Sequence, residues 1–305
     1  MQYRQLRYYV KIVEAGSISR AAALIHIAQP ALSLQIAELE DYLGVSLLQR
    51  SARGVRPTAA GELLYREATA VLKHLEQIPG VVRSSRGVAQ GVVCVGVASV
   101  LGPDWVARFA EACRAALEKV SLRLVVTDSA PLRDQLIAQQ LDLALVFEDD
   151  LSAAFTRETL YRQRLYVFHP KTMSMGPSLS LEELARHPLV FPSPPSLVRA
   201  SADRAFREAG LSPKVVAEVD DYSSLLSAVR TGMGATLLPK GDLTEPSDGM
   251  AEPVLIEPSL HMTVSIASAQ ERPLPYAAGE VRKVLRSFIE RHVRETRPPG
   301  ATWVD

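Results

Sequence analysis

The sequence predicts an α/β fold with a helix-turn-helix at its N-terminus. The segment from Ser17 to Gly61 contains two short helical patterns around a tight turn, followed by a basic loop. After Gly87, apolar runs typical of strands alternate with amphipathic helical patterns, which indicates a mostly parallel sheet with helices on both faces. The 305 residues are enough for about two domains.

The first two predicted helices are short. One covers residues 5–15 and ends at Gly16, because glycine commonly follows the last residue of a helix. Ser17 and Ser19 are both candidates to cap the second helix. Alanines fill that second helix, so another helix can cross it closely.

The third helix is predicted to run from Pro30 to Leu43. Proline is tolerated in the first turn because its missing N–H would be unpaired there in any case. The predicted buried stripe repeats at spacings of four, three and four residues and consists of Leu32, Ile36, Leu39 and Leu43. The N-terminal end of the other face contains the residues that we expect to meet DNA, which are Gln29, Pro30, Ser33 and Leu34.

The chemistry of these side chains suits base edges. Helix-turn-helix proteins present the N-terminal residues of their second helix to the major groove. Gln29 can pair bidentately with adenine, and Ser33 can pair with several bases. Leu34 cannot form a hydrogen bond and should favour a thymine methyl group if it faces the groove.

The loop after the third helix is basic. Arg50, Arg53 and Arg56 fall within seven residues, and Gly54 and Pro57 interrupt any helix there. Three arginines on a hairpin suit phosphates or a narrow, electronegative minor groove. An ordinary solvated basic loop is the alternative.

Charge is unevenly distributed along a chain whose formal net charge is zero. Residues 1–87 contain 11 Lys and Arg against 7 Asp and Glu, and the remainder contains 23 against 27. A basic N-terminal region on an acidic remainder fits a protein that contacts nucleic acid at one end only.

The segment IAQPALSLQIAELEDYLGVSLLQRSARGVRPTAAG resembles the LysR-type transcriptional regulators, and the order of elements matches that family along essentially the whole chain. The resemblance implies a winged helix-turn-helix, a long linker helix and a two-lobed α/β effector domain shaped like periplasmic solute-binding proteins. It also implies that Gln29, Pro30 and Ser33 meet DNA from the recognition helix and Arg53 from the wing. Position 34 is often polar or basic in this family, and here it is Leu34.

A second resemblance concerns the branch of the family. The stretch GMGATLLP at 232–239 is similar to regulators of nitrogen assimilation. This would imply control through the abundance of the protein rather than through a tightly bound small molecule. The domains expected from the family are a winged helix-turn-helix over 1–58, a linker and dimerisation helix over 59–87, and an effector-binding domain over 88–305, with lobe I at about 88–162 and 266–295 and lobe II at about 163–265.

Apolar residues in the linker repeat at alternating spacings of four and three, a period of about 3.5 that is typical of a coiled-coil seam. The residues predicted to form a dimer are Leu64, Ala68, Val71, Leu75 and Ile78, and Val82 continues the pattern. An amphipathic helix packed on its own body is the alternative. Pro79-Gly80 predicts that the helix stops or bends near Ile78 and that a second short piece reaches Arg86, with a hinge between them.

The region after Gly87 contains two similar sets of strands and helices, which predicts two lobes with a cleft between them. Ligands of open α/β sheets bind at the carboxyl ends of strands. The residues at those ends form the predicted effector site, which consists of Ser99, Gly102, Asp128, Ser129, Phe147, Ser193 and Ser196. The proline-rich tail after Arg297 is predicted to be disordered.

Hydroxyl groups and free N–H groups at helix N-termini suit a small anion such as a carboxylate. We therefore expect Ser99, Ser129 and Ser196 to bind an effector, with the apolar side chain of Phe147 beside it. Alternatively, these three serines only cap helices and do not bind an effector. Asp128 and the pair at 220–221 argue against an anionic guest.

Catalytic, metal-binding and cofactor-binding patterns are not recognised in the sequence. None of the six histidines pairs with another His or Cys at metal spacing, and there is no G-x-S-x-G or Walker-type loop. Cys94 and Cys113 are expected to be structural thiols. The N-terminus has no signal-peptide pattern and no apolar run is long enough for a bilayer, so we expect a cytoplasmic protein without membrane contact.

We therefore predict a sequence-specific DNA-binding transcriptional regulator, not an enzyme, whose C-terminal domain senses a small molecule or mediates oligomerisation. The expected partners are double-stranded DNA, a second copy of the chain through the linker helix, a small-molecule effector and RNA polymerase. The family resemblance extends the dimer to a tetramer. A ligand-binding or enzymatic α/β protein with a vestigial helix-turn-helix is the alternative, and salt-dependent DNA binding would separate the two.

Overall fold

A computed structural model provides the fold of the chain. It describes residues 1–51, 54–84, 87–101, 103–148, 155–240, 249–270 and 274–304. The chain divides into two compact units, which we describe separately: a head that contains residues 1–83 and a body that contains most of residues 84–305.

The described part of the head consists of four helices and a hairpin. They are α1 (Tyr3–Ala15), α2 (Ile18–Leu24), α3 (Gln29–Leu43), β1 (Leu48–Ser51), β2 (Gly54–Pro57) and α4 (Ala59–Ser84). Gly16 ends α1 in the left-handed conformation, as the sequence predicts, and Gly44 ends α3 in the same way. Of the two candidate caps for α2, Ser17 takes the role, because its side chain accepts a hydrogen bond from the Arg20 backbone N–H.

The first three helices share one apolar core. Leu32, Ile36 and Leu39 of α3 are fully buried against residues of α1 and α2, which confirms three members of the predicted stripe. The fourth member is a correction, because Leu43 is 37% exposed. It occupies the last position of α3, beyond the part of the helix that the core covers.

The helix α4 is continuous through Pro79, so it does not stop near Ile78, and the predicted bend at this point stays a prediction. Proline removes one backbone hydrogen bond and commonly kinks a helix, but the turns on either side can remain helical. The described helix reaches Ser84, and Arg86 lies outside the described residues.

One face of α4 belongs to the core of the head. Ala68 and Leu72 pack against Leu6 and Val10 of α1, and Leu64 is partly buried against the same cluster. This corrects the predicted seam at Ala68, which is only 1% exposed. Its small side chain lets α1 approach α4 closely.

The body is an α/β unit with helices between most of its strands. Its elements are β3 (Gly91–Ala98), α5 (Pro103–Ala116), β4 (Val120–Thr127), α6 (Ser129–Ile137), β5 (Leu143–Glu148), β6 (Phe155–Phe168), β7 (Ser178–Ser180), α7 (Leu181–Ala185), β8 (Pro188–Phe191), α8 (Leu197–Glu208), β9 (Lys214–Glu218), α9 (Tyr222–Arg230), β10 (Thr236–Pro239), β11 (Val254–Glu257), β12 (His261–Ala269), α10 (Tyr276–Arg291) and β13 (Ala301–Trp303). The predicted α/β class and the alternation of strands and helices after Gly87 are confirmed.

The sheet is mixed rather than mostly parallel. In the main sheet, strand β3 pairs in parallel with both β4 and β5, while β8 and β9 form a separate parallel pair. However, β12 is antiparallel to β5 and to β6. Alternating strands and helices predict parallel pairing, because each strand is then expected to start a βα unit. Strand β12 instead runs antiparallel to both of its neighbours, so the sheet contains more antiparallel pairing than the sequence predicts.

The long strand β6 changes partners along its length. It pairs with β12 from Phe155 to Arg164 and with β10 from Leu165 to Phe168. The apolar run in the sequence predicts only the last part of this strand, from Leu165 onward. The change of partners falls close to the predicted border of the two lobes at residue 163, so β6 passes from one lobe to the other.

The C-terminal tail is ordered, which corrects the predicted disorder. Strand β13 pairs with β6, and the side-chain amide of Gln163 donates a hydrogen bond to the Pro299 carbonyl at 2.9 Å. The ring of Trp303 lies under the guanidinium groups of Arg286 and Arg294, whose central carbons are 6.0 and 5.5 Å from the ring centroid. These contacts attach a segment whose proline content alone indicates disorder.

Among the described residues, no single helix has the length and apolarity to cross a bilayer. The helices α2 and α3 meet that test only jointly, with a bend of 112° between them. Their apolar side chains include Ala21, Leu32 and Ile36, which are buried in the core of the head.

Candidate functional site

The N-terminal end of α3 presents polar and apolar groups outward. Gln29 and Pro30 are exposed, Ser33 is half-buried, and Leu34 is 59% exposed. The Gln29 side-chain amide donates a hydrogen bond to the Ser33 hydroxyl at 3.4 Å. The structure therefore brings all four predicted residues together on one free face of the helix.

The turn before α3 fixes the direction of this face. His26 adopts a left-handed conformation, with φ of 57°, and the Ile27 N–H donates to the Ala22 carbonyl at 3.1 Å. Ala21 and Ala22 are almost completely buried, which confirms that the small side chains of α2 let α3 pack closely. The free face is thus part of a compact, well-packed head.

The basic loop forms the predicted hairpin. Arg50 on β1 pairs across the hairpin with Val55, and Arg56 on β2 pairs with Gln49. Both arginines are exposed. Arg53, the third predicted arginine, lies outside the described residues.

The side chain of Glu40 and the backbone carbonyl of Gly16 attach this hairpin to the helices. The Glu40 carboxylate accepts hydrogen bonds from the backbone N–H groups of Leu47 and Leu48 at 2.7 and 3.2 Å. The Val55 N–H donates to the Gly16 carbonyl at 2.9 Å. A lone acidic residue near a helix end gives no sequence signal for this role, so only the structure shows it.

The start of α4 closes the hairpin. The Thr58 hydroxyl donates to the Ser46 carbonyl at 2.7 Å and accepts from the Gly61 N–H at 3.0 Å, so Thr58 caps this helix. The Tyr9 hydroxyl lies 3.5 Å from the Leu47 carbonyl oxygen and donates to it. Burial, and then the nearby carboxylates of the head, raise the pKa of Tyr9, so this phenol remains a neutral donor.

The outer face of α4 contains an apolar stripe, which we define as Val71, Leu75, Ile78 and Val82. These side chains are between 41% and 65% exposed in the single chain. Their spacings of four, three and four place them on one side of the helix. Four exposed apolar side chains in a row indicate a surface that another chain covers.

The body contains a cleft where the predicted effector residues meet. It consists of a large cavity of about 360 Å³ and a small, mainly apolar cavity of about 30 Å³. Ser99, Asp128 and Ser196 line both cavities, Ser193 lines the large one, and Ser129 and Phe147 line the small one. Gly102 lies outside the described residues.

The carboxyl ends of the strands build this cleft, as expected for an open α/β sheet. Ser99 follows β3, and its hydroxyl group donates a hydrogen bond to the Asp128 carboxylate at 2.8 Å. The Ser129 hydroxyl accepts a hydrogen bond from the Phe147 N–H at 3.1 Å. Ser99 and Ser129 are therefore already engaged with the protein itself.

Two carboxylates on the other side of the cleft have different surroundings. Asp220 accepts a hydrogen bond from the Ser193 N–H at 2.8 Å. Asp221 caps α9 by accepting from the hydroxyl and the N–H of Ser224, which lower the pKa of its carboxyl group. Asp220 and Asp221, which argue against an anionic ligand by their charge, both line the large cavity.

Two further hydroxyl groups lie in the cleft. Ser196 is 7% exposed and its side chain does not cap α8. Tyr222 lines both cavities, and its enclosed hydroxyl oxygen has no hydrogen-bond partner among the described residues. Burial raises the pKa of Tyr222, so its phenol stays protonated. Tyr222 was not predicted as a site residue, because its place after the Asp220-Asp221 pair indicates only a helix start.

Among the described residues, no group of three or more His, Cys, Asp and Glu side chains is arranged to hold a metal ion. Cys94 and Cys113 are both buried and form no disulfide with each other, which is consistent with their interpretation as structural residues.

A helix-turn-helix with a basic hairpin, a long helix with an exposed apolar stripe, and a two-lobed body with a cleft together define a DNA-binding regulator with an effector-binding domain. Two family descriptions match the chain. "Bacterial regulatory helix-turn-helix protein, lysR family" covers residues 3–62, and "LysR substrate binding domain" covers residues 86–289. The chain belongs to the LysR family of transcriptional regulators.

Similar proteins point to one branch of this family. The nitrogen assimilation regulatory protein nac of Klebsiella aerogenes is 34% identical over 302 residues, which are 97% of this chain and 98% of that protein. The protein of the same name from Escherichia coli (strain K12) is 33% identical over 301 residues, with the same coverage. The resemblance of residues 232–239 to the nitrogen-assimilation branch is consistent with both.

Solved structures share the fold. The full-length regulator CbnR in complex with its target DNA has a TM-score of 0.69 and 21% identity, covering 94% of this chain and all of that one. A full-length OxyR variant from Pseudomonas aeruginosa has a TM-score of 0.66 and 23% identity, covering 95% of this chain and 98% of that one.

Proposed function

We propose that this chain is a dimeric or tetrameric regulator that reads DNA with the exposed end of α3 and responds to a small molecule in the cleft of its body. The observation that carries the proposal is the free face formed by Gln29, Pro30, Ser33 and Leu34 beside an exposed basic hairpin. The two-lobed body and the membership in the LysR family support the proposed response to a small molecule.

Base reading belongs to the free face of α3. Gln29 pairs with adenine and Ser33 with a neighbouring base, while Leu34 contacts a thymine methyl group. Arg50, Arg53 and Arg56 of the hairpin bind phosphates or enter the minor groove. Because CbnR, which shares this fold, has been crystallised with its target DNA, we propose the same type of partner for this chain.

Dimerisation belongs to the stripe on α4. Two copies of Val71, Leu75, Ile78 and Val82 form an antiparallel or parallel helix pair that removes these side chains from water, with Leu64 extending the contact. A dimer places two reading heads on two half-sites of a pseudo-palindrome. The bodies pair further into a tetramer, and the assembly acts in the cytoplasm with RNA polymerase as its downstream partner.

We assign one of these functions to each of the three proposed domains. Residues 1–58 bind DNA, residues 59–87 join two chains and residues 88–305 bind the effector. Within the last domain, lobe I comprises about 88–162 and 266–295, and lobe II about 163–265. The change of partners within β6 at Arg164 and Leu165 supports this border.

The two nac relatives favour a role in nitrogen assimilation. Their identity extends over nearly the whole chain and includes both the head and the body. The proposed genes under control are therefore genes of nitrogen metabolism. Control through the abundance of the regulator, without a bound small molecule, is the alternative to the effector response proposed above.

The test is selection of genomic DNA fragments by the purified full chain, followed by affinity measurements at several salt concentrations. We expect enrichment of a small set of fragments and a logarithmic affinity that falls steeply with the logarithm of salt concentration, because bound phosphates release counterions. Failure to enrich any fragment at low salt would contradict the proposal. It would favour the alternative of an α/β binding protein with a vestigial helix-turn-helix.

A further inference from the structure

One side chain of the cleft lacks the partner that a buried hydroxyl group normally has. The Tyr222 hydroxyl oxygen is enclosed without a partner among the described residues. Because buried polar groups are nearly always paired, this hydroxyl indicates the position of a polar group on a guest molecule. Ser196 lines the same two cavities, is 7% exposed and makes no cap hydrogen bond to α8, so it adds a second hydroxyl to that position.

The negative charge of the cleft determines which class of ligand it favours. Asp128, Asp220 and Asp221 line the large cavity, and its described lining residues include no Lys, Arg or His. The same holds for the described lining of the small cavity. A lone carboxylate would face like charges here, whereas an ammonium group would meet opposite charges.

Two of the carboxylates face the cleft from different lobes. Asp128 follows β4 in lobe I, and Asp220 follows β9 in lobe II. Asp128 accepts a hydrogen bond from Ser99, and Asp220 accepts one from Ser193. A carboxylate offers about four acceptor directions, so each retains room for a further donor.

We propose that the cleft binds a small molecule through a primary ammonium group held between Asp128 and Asp220. This proposal rests on the proposed function, since it names the chemistry of the effector site. The three ammonium N–H groups donate to the two carboxylates and to the Tyr222 hydroxyl oxygen, and the apolar part of the ligand lies against Phe147. It replaces the carboxylate guest that the serines alone had predicted.

The same arrangement couples binding to the shape of the body. Two negative side chains from different lobes repel one another when the cleft is empty of cations. An ammonium group bound to both attracts both lobes, so it stabilises the arrangement in which they approach most closely. The effector therefore biases the body toward a closed cleft.

Ligand-observed saturation-transfer NMR with the full chain tests the charge preference. The probes are isopentylammonium, 4-methylpentanoate and leucine, which share one branched apolar stem and differ in their charged groups. We expect saturation transfer to isopentylammonium and leucine and none to 4-methylpentanoate. Binding of 4-methylpentanoate alone, or no transfer to either ammonium compound at millimolar concentration, overturns the proposal.

Charge-removing variants locate the site. Asp128→Asn and Asp220→Asn keep the size of the side chain, and each is expected to weaken binding of isopentylammonium by about ten-fold. Asp134→Asn is the matched control, because Asp134 is exposed on α6 and does not line the cleft. Unchanged binding in the first two variants, or an equal loss in all three, overturns the proposal.

DNA binding by the same proteins separates this proposal from the proposed function. If the NMR experiment fails while the full chain still selects genomic fragments in a salt-dependent way, the ammonium site is wrong and the regulator remains. If fragment selection fails while Asp128→Asn and Asp220→Asn still reduce ammonium binding, the site stands and the regulator does not.

Discussion

Gly61 at the start of α4 lies against the backbone carbonyl of Leu47, with no room for a side chain between them. A Cβ atom built on Gly61 would overlap the Leu47 carbonyl oxygen and lie 2.6 Å from the Tyr9 hydroxyl oxygen. The same carbonyl accepts hydrogen bonds from Tyr9 and from the Thr58 backbone. This close approach fixes the junction between the hairpin and α4.

Gly61→Ala should therefore destabilise the head. Because the atoms that the new methyl group meets are mainly backbone, they cannot rotate away, and we expect a loss of about 2 kcal/mol in the free energy of unfolding. Urea unfolding followed by circular dichroism measures it. Gly279→Ala is the control, since nothing lies within 4 Å of a Cβ at Gly279 in α10 and alanine is the better helix former. Equal stabilities of the two variants would contradict the importance of this junction.

The stripe on α4 gives a second prediction. Leu75→Asp places a charge in the middle of the proposed dimer contact, and burying an unpaired charge is strongly unfavourable. Sedimentation velocity should show a shift from dimer or tetramer toward monomer, with affinity for a selected operator reduced at least about ten-fold. Gln77→Asp introduces the same charge away from the stripe and should leave the assembly intact. A Leu75→Asp protein that sediments like the unchanged chain would exclude the stripe as the contact.

The hairpin arginines give a third prediction. Arg56→Ala removes an exposed cation from β2, so it should weaken binding to all DNA sequences to a similar degree and reduce the slope of the salt dependence by about one. Fluorescence anisotropy with labelled duplexes at several salt concentrations measures both effects. Arg207→Ala, an exposed arginine on α8, is the control and should behave like the unchanged chain. An unaltered slope for Arg56→Ala would mean that the hairpin does not touch phosphates.

Burial of Cys113 gives a prediction for alkaline pH. Burial raises the pKa of this thiol from its ordinary value of 9.0 to about 12. The folded chain then keeps a proton that the unfolded chain has lost, so stability is complete below about pH 9 and falls as the pH rises toward 12, by up to about 1.4 kcal/mol per pH unit. Urea unfolding between about pH 8 and 11 should show a steeper decline for the unchanged chain than for Cys113→Ala. Parallel declines would show that this thiol does not contribute.

The sequence was most informative where local patterns and packing agree. Leu32, Ile36 and Leu39 repeat at helical spacing and are buried, and Gly16 and Gly44 end their helices as glycines usually do. The free face of α3 follows from the same periodicity, because the side of a helix opposite its buried stripe is exposed. The carboxyl ends of the strands likewise indicated six of the residues that line the cleft.

Contacts between distant segments could not be predicted from local patterns. The tail after Arg297 has a composition typical of disorder, yet β13 pairs with β6 more than a hundred residues away. Ala68 fits a coiled-coil seam by spacing alone, but α1 covers it. The continuity of α4 through Pro79 shows that a helix breaker lowers the preference for a helix without deciding the outcome.

The chemical character of the cleft could not be predicted from local patterns either. Ser99 was predicted to hold an anion together with Ser129, but its hydroxyl proton is already used in the hydrogen bond to Asp128, whereas Ser129 accepts from the Phe147 N–H and keeps its own proton for a further acceptor. Tyr222 lies at the N-terminus of α9 and enters the cleft only because β9 and α9 meet there. The chemical character of the site therefore depends on which strand ends the fold brings together.

The central claim is that the exposed end of α3 reads bases, and Gln29 tests it most directly. Selection from a duplex library randomised over the operator half-sites would be performed with the unchanged chain and with Gln29→Ala. We predict that Gln29→Ala loses the preference at one base position in each half-site and keeps the others, with binding to random DNA unchanged. An identical preference at every position for both proteins would contradict the claim.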